Sequence, residues 1–144
     1  MGSFVWEKVI LEYPVPSNHL QIQIHMEERW GKYPLEERVV SFAKLVLTYV
    51  RTRGGYEIKT LVPQLVRSAT SVAANYMEAC IAESRKDFRH KCCLSAKEAK
   101  ESWFWLRMTV RENDAAGEAL IQEAMELTKI FSAIKRTCDQ HEHH

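Results

Sequence analysis

The segment LVRSATSVAANYMEA, residues 65–79, carries the clearest structural signal in the sequence, because its polar and apolar side chains separate at a helical period. A helix turns about 100° per residue, which places four other polar side chains within about 80° of Arg67: Gln64, Ser71, Asn75 and Glu78. The opposite side of the same helix is apolar: Leu65, Val66, Ala69, Val72, Ala73, Tyr76 and Cys80. This separation predicts an amphipathic helix over residues 60–83, with Thr60 as its N-cap.

The polar line on this helix has two interpretations. It is an ordinary solvated face, or it is a partly buried ladder of hydrogen bonds that another helix approaches closely across small residues such as Ser68 and Ala74. In the second case Arg67 needs a carboxylate partner, since an unpaired buried guanidinium is very costly. Glu98 or Glu101 of the third helix would supply it. The predicted polar network then has six members: Arg67, Ser71, Asn75, Glu78, Glu98 and Glu101.

A first helix is predicted before this segment. Residues 35–52 carry apolar side chains at steps of three, four and seven, and a Gly-Gly pair at 54–55 ends the pattern. The first 25 residues differ, because they contain two prolines and a strand-like alternation over residues 19–25. We interpret residues 1–25 as an extension that is either appended or the product of a start upstream of Met26.

Two more helices are predicted after it. Ser84 opens an S-x-x-D capping pattern, so a third helix is expected over residues 84–112. The Asn-Asp pair at 113–114 and Gly117 then mark a turn, and a fourth helix is expected over residues 116–138.

Four helices with short connections predict an all-α fold, an up-down-up-down antiparallel four-helix bundle over residues 26–138, followed by a tail at 139–144. A length of 144 residues and a net charge of +1 fit one domain without polyelectrolyte character. Any nucleic-acid affinity must therefore come from a local patch. No apolar run reaches the roughly 20 residues of a membrane helix, and we expect a cytoplasmic protein that does not associate with membranes.

The sequence predicts neither an enzyme nor a site for a metal or cofactor. The four cysteines form no C-x-x-C pair and are expected to be reduced thiols. A di-metal carboxylate site needs a Glu-x-x-His motif on each of two helices, whereas Asp87-x-x-His90 and Glu98-x-x-Glu101 occupy one helix. The sequence also contains no phosphate-binding G-K-[ST] loop and no G-x-S-x-G motif.

The charges of the third helix are sorted by side. With Arg85 as the origin, seven cationic side chains fall between 0° and about 120°: Arg85, Lys86, Arg89, Lys97, Lys100, Arg107 and Arg111. The acidic residues fall between about 160° and 220°. The cationic side is either a solvated face that pairs with neighbouring helices, or a surface that binds a phosphate backbone. These seven residues are the predicted nucleic-acid-binding residues.

The third helix also carries apolar bulk on more than one side. The run Trp103-Phe104-Trp105 cannot face a single core, since consecutive residues point about 100° apart. This excess predicts a second partner surface, and the simplest partner is another copy of the chain. The predicted oligomer interface consists of Leu94, Trp103, Trp105 and Met108. Base stacking on a Trp or Phe ring is the alternative use of this bulk.

Three motifs together closely resemble one known family. They are R-S-x-x-S-x-x-x-N-x-x-E-A at residues 67–79, S-x-x-D-F at 84–88 and E-x-x-E-x-x-x-W-L at 98–106. The family consists of four-helix-bundle proteins often encoded in intervening sequences of bacterial large-subunit ribosomal RNA genes, and the resemblance covers about residues 35–137. It implies an up-down bundle that assembles as a five-membered ring, with no established catalytic activity. A more distant relative, the accessory protein of diversity-generating retroelements, binds a reverse transcriptase and nucleic acid through a basic ring surface.

Two functions are consistent with these features. In the first, the protein is a homo-oligomer, a pentamer by the resemblance, whose repeated third-helix cations bind RNA or DNA. In the second, the oligomer is a scaffold for a protein partner such as a reverse transcriptase, without direct contact with nucleic acid. Neighbouring genes distinguish the two, because a retroelement cassette favours the scaffold.

Overall fold

The computed structural model describes residues 34–51 and 59–142 of the chain, with side chains for 35–51 and 59–140. Within these residues the fold consists of four α-helices and no strand, which confirms the predicted all-α class. The helices are α1 (Pro34–Arg51), α2 (Val62–Cys80), α3 (Arg85–Thr109) and α4 (Ala115–Glu142). The extension, its strand-like segment and the Gly-Gly pair lie outside the described residues.

The four helices share one core. Helix α3 packs against both α2 and α4, and α1 packs against the same two helices. Each helix contributes side chains that are fully buried: Phe42, Val46, Leu65, Val72, Leu106, Leu127, Phe131 and Ile134. Each such side chain contributes on the order of 1.5–3 kcal/mol by leaving water, so burial of the apolar stripes holds the four helices together.

Helix α2 begins later than the sequence pattern predicted. Leu61 occupies the N-cap position and makes no side-chain hydrogen bond there, so the prediction of Thr60 as the N-cap is wrong. Pro63 falls in the first turn of the helix. Its missing N–H is harmless at this place, because the first N–H groups of a helix have no partner within it.

The predicted end of α2 at Glu83 is also wrong, because the helix ends at Cys80. The N–H groups of Ile81 and Ala82 bond to carbonyls only three residues back, which tightens the last turn and stops the α-helical pattern. Ser84 then caps α3 as predicted. Its backbone is extended, and its side chain accepts a hydrogen bond from the Asp87 N–H at 3.1 Å.

Helix α3 ends at Thr109, three residues before the predicted Glu112, because Val110 takes an extended conformation with φ −73° and ψ 130°. The turn at Asn113 is confirmed, since this residue has a left-handed φ of 60°. Helix α4 continues to Glu142, so residues 139–142, which were predicted to belong to a tail, are part of the helix.

Gly117, which the sequence analysis used as a turn signal and also placed inside the predicted fourth helix, lies in the first turn of α4. A Cβ at this position would lie 2.5 Å from Val110 Cγ1 and 2.8 Å from Tyr49 Oη. The glycine therefore serves a close approach of α1 and α4. Asp114 fixes the same junction, because it accepts one hydrogen bond from the Gly117 N–H at 3.1 Å and one from the Tyr49 hydroxyl at 2.6 Å.

Candidate nucleic-acid interface on α3

Arg67 of α2 meets both carboxylates that the sequence proposed for it. Its Nη1 donates to Glu98 Oε2 at 3.2 Å, and its Nη2 donates to Glu101. Trp105 Nε1 donates to the same Glu101 carboxylate at 3.0 Å. The hydrogen bond from Arg67 lowers the pKa of the Glu101 carboxyl below its ordinary value of 4.5. The Arg67 side chain is 47% exposed, so this cluster lies at the surface of the α2–α3 contact.

The remaining members of the predicted polar network do not join this cluster. Asn75 Nδ2 donates to the Ser71 carbonyl within α2 at 2.9 Å, and Glu78 pairs with Lys91 of α3. Within the described part of the chain, neither Ser71 nor Asn75 bonds to Arg67. The polar line of α2 therefore divides into three parts: the Arg67 cluster, a hydrogen bond from the Asn75 side chain to the backbone of its own helix, and the Glu78–Lys91 ion pair.

Two serines of α3 make buried contacts with α2 that the sequence argument missed. Ser102 Oγ donates to Ser68 Oγ at 2.9 Å, and Ser95 Oγ donates to the Val72 carbonyl at 3.0 Å. All three serines are fully buried. The row of small residues on α2 could have predicted these contacts, but the sequence analysis used it only to argue that another helix can approach α2 closely.

A buried ion pair between α1 and α4 was also missed. Arg38 Nε and Nη2 donate to the two carboxylate oxygens of Glu123 at 2.6 and 2.8 Å, and the side chains are only 5% and 6% exposed. The periodicity of α1 contained the signal. Arg38 lies three residues after Leu35 and four before Phe42, which places its side chain on the apolar side of the helix.

The seven predicted cations of α3 and its C-terminal flank, called the basic face below, lie mostly in solvent. Six are exposed: Arg85, Lys86, Lys97, Lys100, Arg107 and Arg111. Arg89 is half-buried and pairs with Asp139 of α4. No carboxylate of the described residues lies within the 4.0 Å of an ion pair for five members: Lys86, Lys97, Lys100, Arg107 and Arg111. Most of these charges therefore lie in solvent without an ion pair to a neighbouring helix, an arrangement that fits both a solvated face and a surface that binds phosphates.

Two of the cations lie on an aromatic ring. Lys100 Nζ is 3.9 Å and Arg107 Cζ is 4.6 Å from the centroid of the Trp103 ring. Both distances allow a cation–π attraction. The ring of Phe104 is instead 47% exposed. It contacts Trp105 edge-to-face with centroids 4.8 Å apart.

The four residues of the predicted oligomer interface differ in exposure. Met108 is 56% exposed and Leu94 is half-buried. Trp103 and Trp105 are partly buried against the core of their own chain. A single chain thus covers much of the bulk that the sequence argument assigned to a second copy, and the uncovered apolar surface of α3 is centred on Phe104 and Met108.

Other chemistry finds little support in the described residues. They contain no group of three or more His, Cys, Asp or Glu side chains that could hold a metal ion. Burial raises the pKa of the Cys92 thiol, which keeps it protonated and weakly nucleophilic. Among the helices that the structure describes, none combines the length and apolar character needed to cross a membrane.

The described residues thus define an all-α protein of four helices with a basic face on the third. The family model of the 23S rRNA-intervening sequence protein matches residues 36–136, and the chain belongs to this family, as its motifs predicted. A solved structure of a protein with unknown function from the S23 ribosomal protein family of Bacteroides thetaiotaomicron VPI-5482 is similar, with 26% identity and a TM-score of 0.61. That similarity covers 70% of this chain and 97% of the other. No curated protein matches the sequence.

Proposed function

We propose that this protein is a non-enzymatic, homo-oligomeric four-helix bundle that binds nucleic acid through the basic face of α3. One observation carries the proposal: five cations of the basic face have no carboxylate partner among the described residues, although the chain carries almost equal numbers of acidic and basic groups. Unpaired, exposed cations can exchange their counterions for phosphates, and the release of those counterions favours binding.

The order of the helices in the proposed bundle is up-down-up-down. Contacts between helices support this order. As the residue numbers rise along one helix, the numbers of the residues that it contacts in the neighbouring helix fall, which is the pattern of an antiparallel pair. Ser68 meets Ser102 and Val72 meets Ser95 between α2 and α3. Arg38 meets Glu123 between α1 and α4, and farther along α1 Tyr49 meets Asp114 at the start of α4.

We propose that the oligomer is a ring of five chains. Half-buried Leu94 and exposed Met108, about 21 Å apart along α3, support a contact between copies on that side of the helix. The ring size follows from the resemblance to the bundle family. Assembly repeats the basic face around the ring. A nucleic acid that engages one copy then meets the next at high effective concentration, so a few phosphate contacts per chain suffice.

Charge reversal tests the proposal. The variant Lys97→Glu, Lys100→Glu, Arg107→Glu removes three unpaired cations, and its matched control, Lys44→Glu, Lys135→Glu, Arg136→Glu, makes the same charge change at exposed positions of α1 and α4. We expect the first variant to lose at least about tenfold in affinity for a labelled RNA in a filter assay at low salt, with a shallower salt dependence. The control should keep most of the affinity. Equal losses in both variants, or no retention by wild type, contradict the proposal.

A further inference from the structure

Two adjacent aromatic side chains of the basic face differ in what covers them. Lys100 and Arg107 lie on the ring of Trp103, at 3.9 and 4.6 Å from its centroid. The ring of Phe104 is 47% exposed, and its contact with Trp105 leaves it open to solvent on the outside. A flat ligand therefore has access to the Phe104 ring. To reach the Trp103 ring it would first have to displace Lys100 and Arg107.

We propose that Phe104 is a stacking site for an unpaired base, so that the basic face takes single-stranded nucleic acid in preference to a duplex. This inference rests on the proposed function and specifies its ligand. Every base has a π-face, but only an unpaired base can lay that face on a protein ring. The phosphates of a duplex would reach the cations equally well and would leave Phe104 without a partner.

The spacing of the charges fits a strand that passes over Phe104. Lys97 lies seven residues before it, Lys100 four before it and Arg107 three after it, and these are the steps that share one side of a helix. Lys97 and Arg107 are ten residues apart, about 15 Å along the helix axis. Cations thus stand on both sides of the exposed ring, where the phosphates on either side of a stacked base would lie.

The same charges disfavour a second copy of the chain as the occupant of Phe104. A second copy that covered Phe104 would also cover Lys97, Lys100 and Arg107, which have no ion-pair partner among the described residues of their own chain, and it would have to supply carboxylates for them. A polyanion supplies both the missing negative charge and the flat apolar group. We therefore assign Phe104 to the ligand and Leu94, which lies about 80° farther round the helix, to the contact between copies. Met108, four residues after Phe104, lies between these two surfaces.

The test compares two probes and two substitutions. A labelled single-stranded RNA of about 15 nucleotides, alone or annealed to its complement, is titrated into the full-length protein by fluorescence anisotropy. We expect wild type to prefer the single strand. Phe104→Leu keeps apolar bulk but removes the ring, and it should weaken single-strand binding about tenfold with little change for the duplex. Phe104→Trp should restore the wild-type affinity.

The outcomes separate this inference from the proposed function. Equal affinities for both probes, unchanged by Phe104→Leu, overturn the stacking site and leave the basic face as a general phosphate binder. Failure of wild type to bind either probe contradicts the proposed function and the stacking site together. A smaller mass in solution for free Phe104→Leu than for wild type also overturns the inference, because the ring would then belong to a contact between copies.

Discussion

The pair Arg38–Glu123 places two opposite charges where water scarcely reaches them, since the side chains are 5% and 6% exposed. Arg38 donates two hydrogen bonds to the Glu123 carboxylate, and these bonds offset part of the cost of burying both charges. Exchanging such a pair for apolar residues is often close to neutral, but removal of one partner leaves a buried charge without compensation. The pair therefore specifies which residues of α1 and α4 meet, more than it adds net stability.

We predict that Glu123→Gln lowers the free energy of unfolding by about 3–5 kcal/mol, because it removes the carboxylate that accepts two hydrogen bonds from the buried Arg38 guanidinium. The double variant Arg38→Met, Glu123→Leu should recover most of this loss. Urea denaturation followed by circular dichroism measures both. Glu126→Gln, which removes a longer contact to exposed Lys129 at 3.6 Å, is the control and should cost less than about 1 kcal/mol. A loss for Glu123→Gln no larger than that of the control would contradict the account.

Glu101 provides a prediction about pH. The hydrogen bond from Arg67 lowers the pKa of its carboxyl below 4.5, so its contribution to stability is complete above pH 4.5 and is lost as the pH falls through the lowered pKa. In an NMR titration of the side-chain carboxyl carbon, the midpoint of Glu101 should lie below 4.5. Arg67→Met should move its midpoint up toward 4.5. A midpoint that does not respond to this substitution would show that Arg67 is not the cause.

At the scale of the helices, the contacts at their ends determine where each one stops. Ser84 separates α2 from α3 because its side chain bonds to the Asp87 N–H. Asp114 and Gly117 set the start of α4 against α1 through the hydroxyl of Tyr49. At Gly117 the neighbouring side chains come so close that the methyl group of an alanine would collide with them.

Gly117→Ala should destabilise the protein by about 1–3 kcal/mol, although alanine is favoured in a helix by about 1 kcal/mol over glycine. The added Cβ would lie 2.5 Å from Val110 Cγ1. Val110→Ala removes both methyl groups that stand in its way, so the double variant should lose less than the sum of the two single variants. Thermal unfolding measures the effect. A Gly117→Ala protein that is more stable than wild type would mean that the junction has room for a side chain.

The sequence predicted the helices well because amphipathic periodicity reports which side of each helix is buried. It predicted the partners of Arg67 correctly from a burial that the structure does not show, since the Arg67 side chain is 47% exposed. It failed at Gly117, where a glycine that looks like a turn signal serves a contact between distant residues. It missed Arg38 for the same reason, since Glu123 is 85 residues away. The cations covering Trp103 also escaped, because side-chain conformations are set by packing and not by spacing.

At the scale of the whole molecule, the proposed binding of nucleic acid depends on both the basic face and the assembly of several chains. A chain with a net charge of +1 has little overall attraction for a polyanion. In the proposed function, the affinity comes from the local concentration of unpaired cations on α3, and the proposed ring of copies would multiply that local charge. The proposed binding of nucleic acid therefore depends on the proposed ring.

Sedimentation equilibrium at micromolar concentration, with and without a single-stranded RNA, tests that central claim most directly. We predict that the protein alone sediments as an assembly of five chains of 16.8 kDa each. The RNA should add its own mass to that assembly for wild type but not for Lys97→Glu, Lys100→Glu, Arg107→Glu. A folded species of 16.8 kDa whose mass does not change in the presence of the RNA would contradict both the assembly and its proposed ligand.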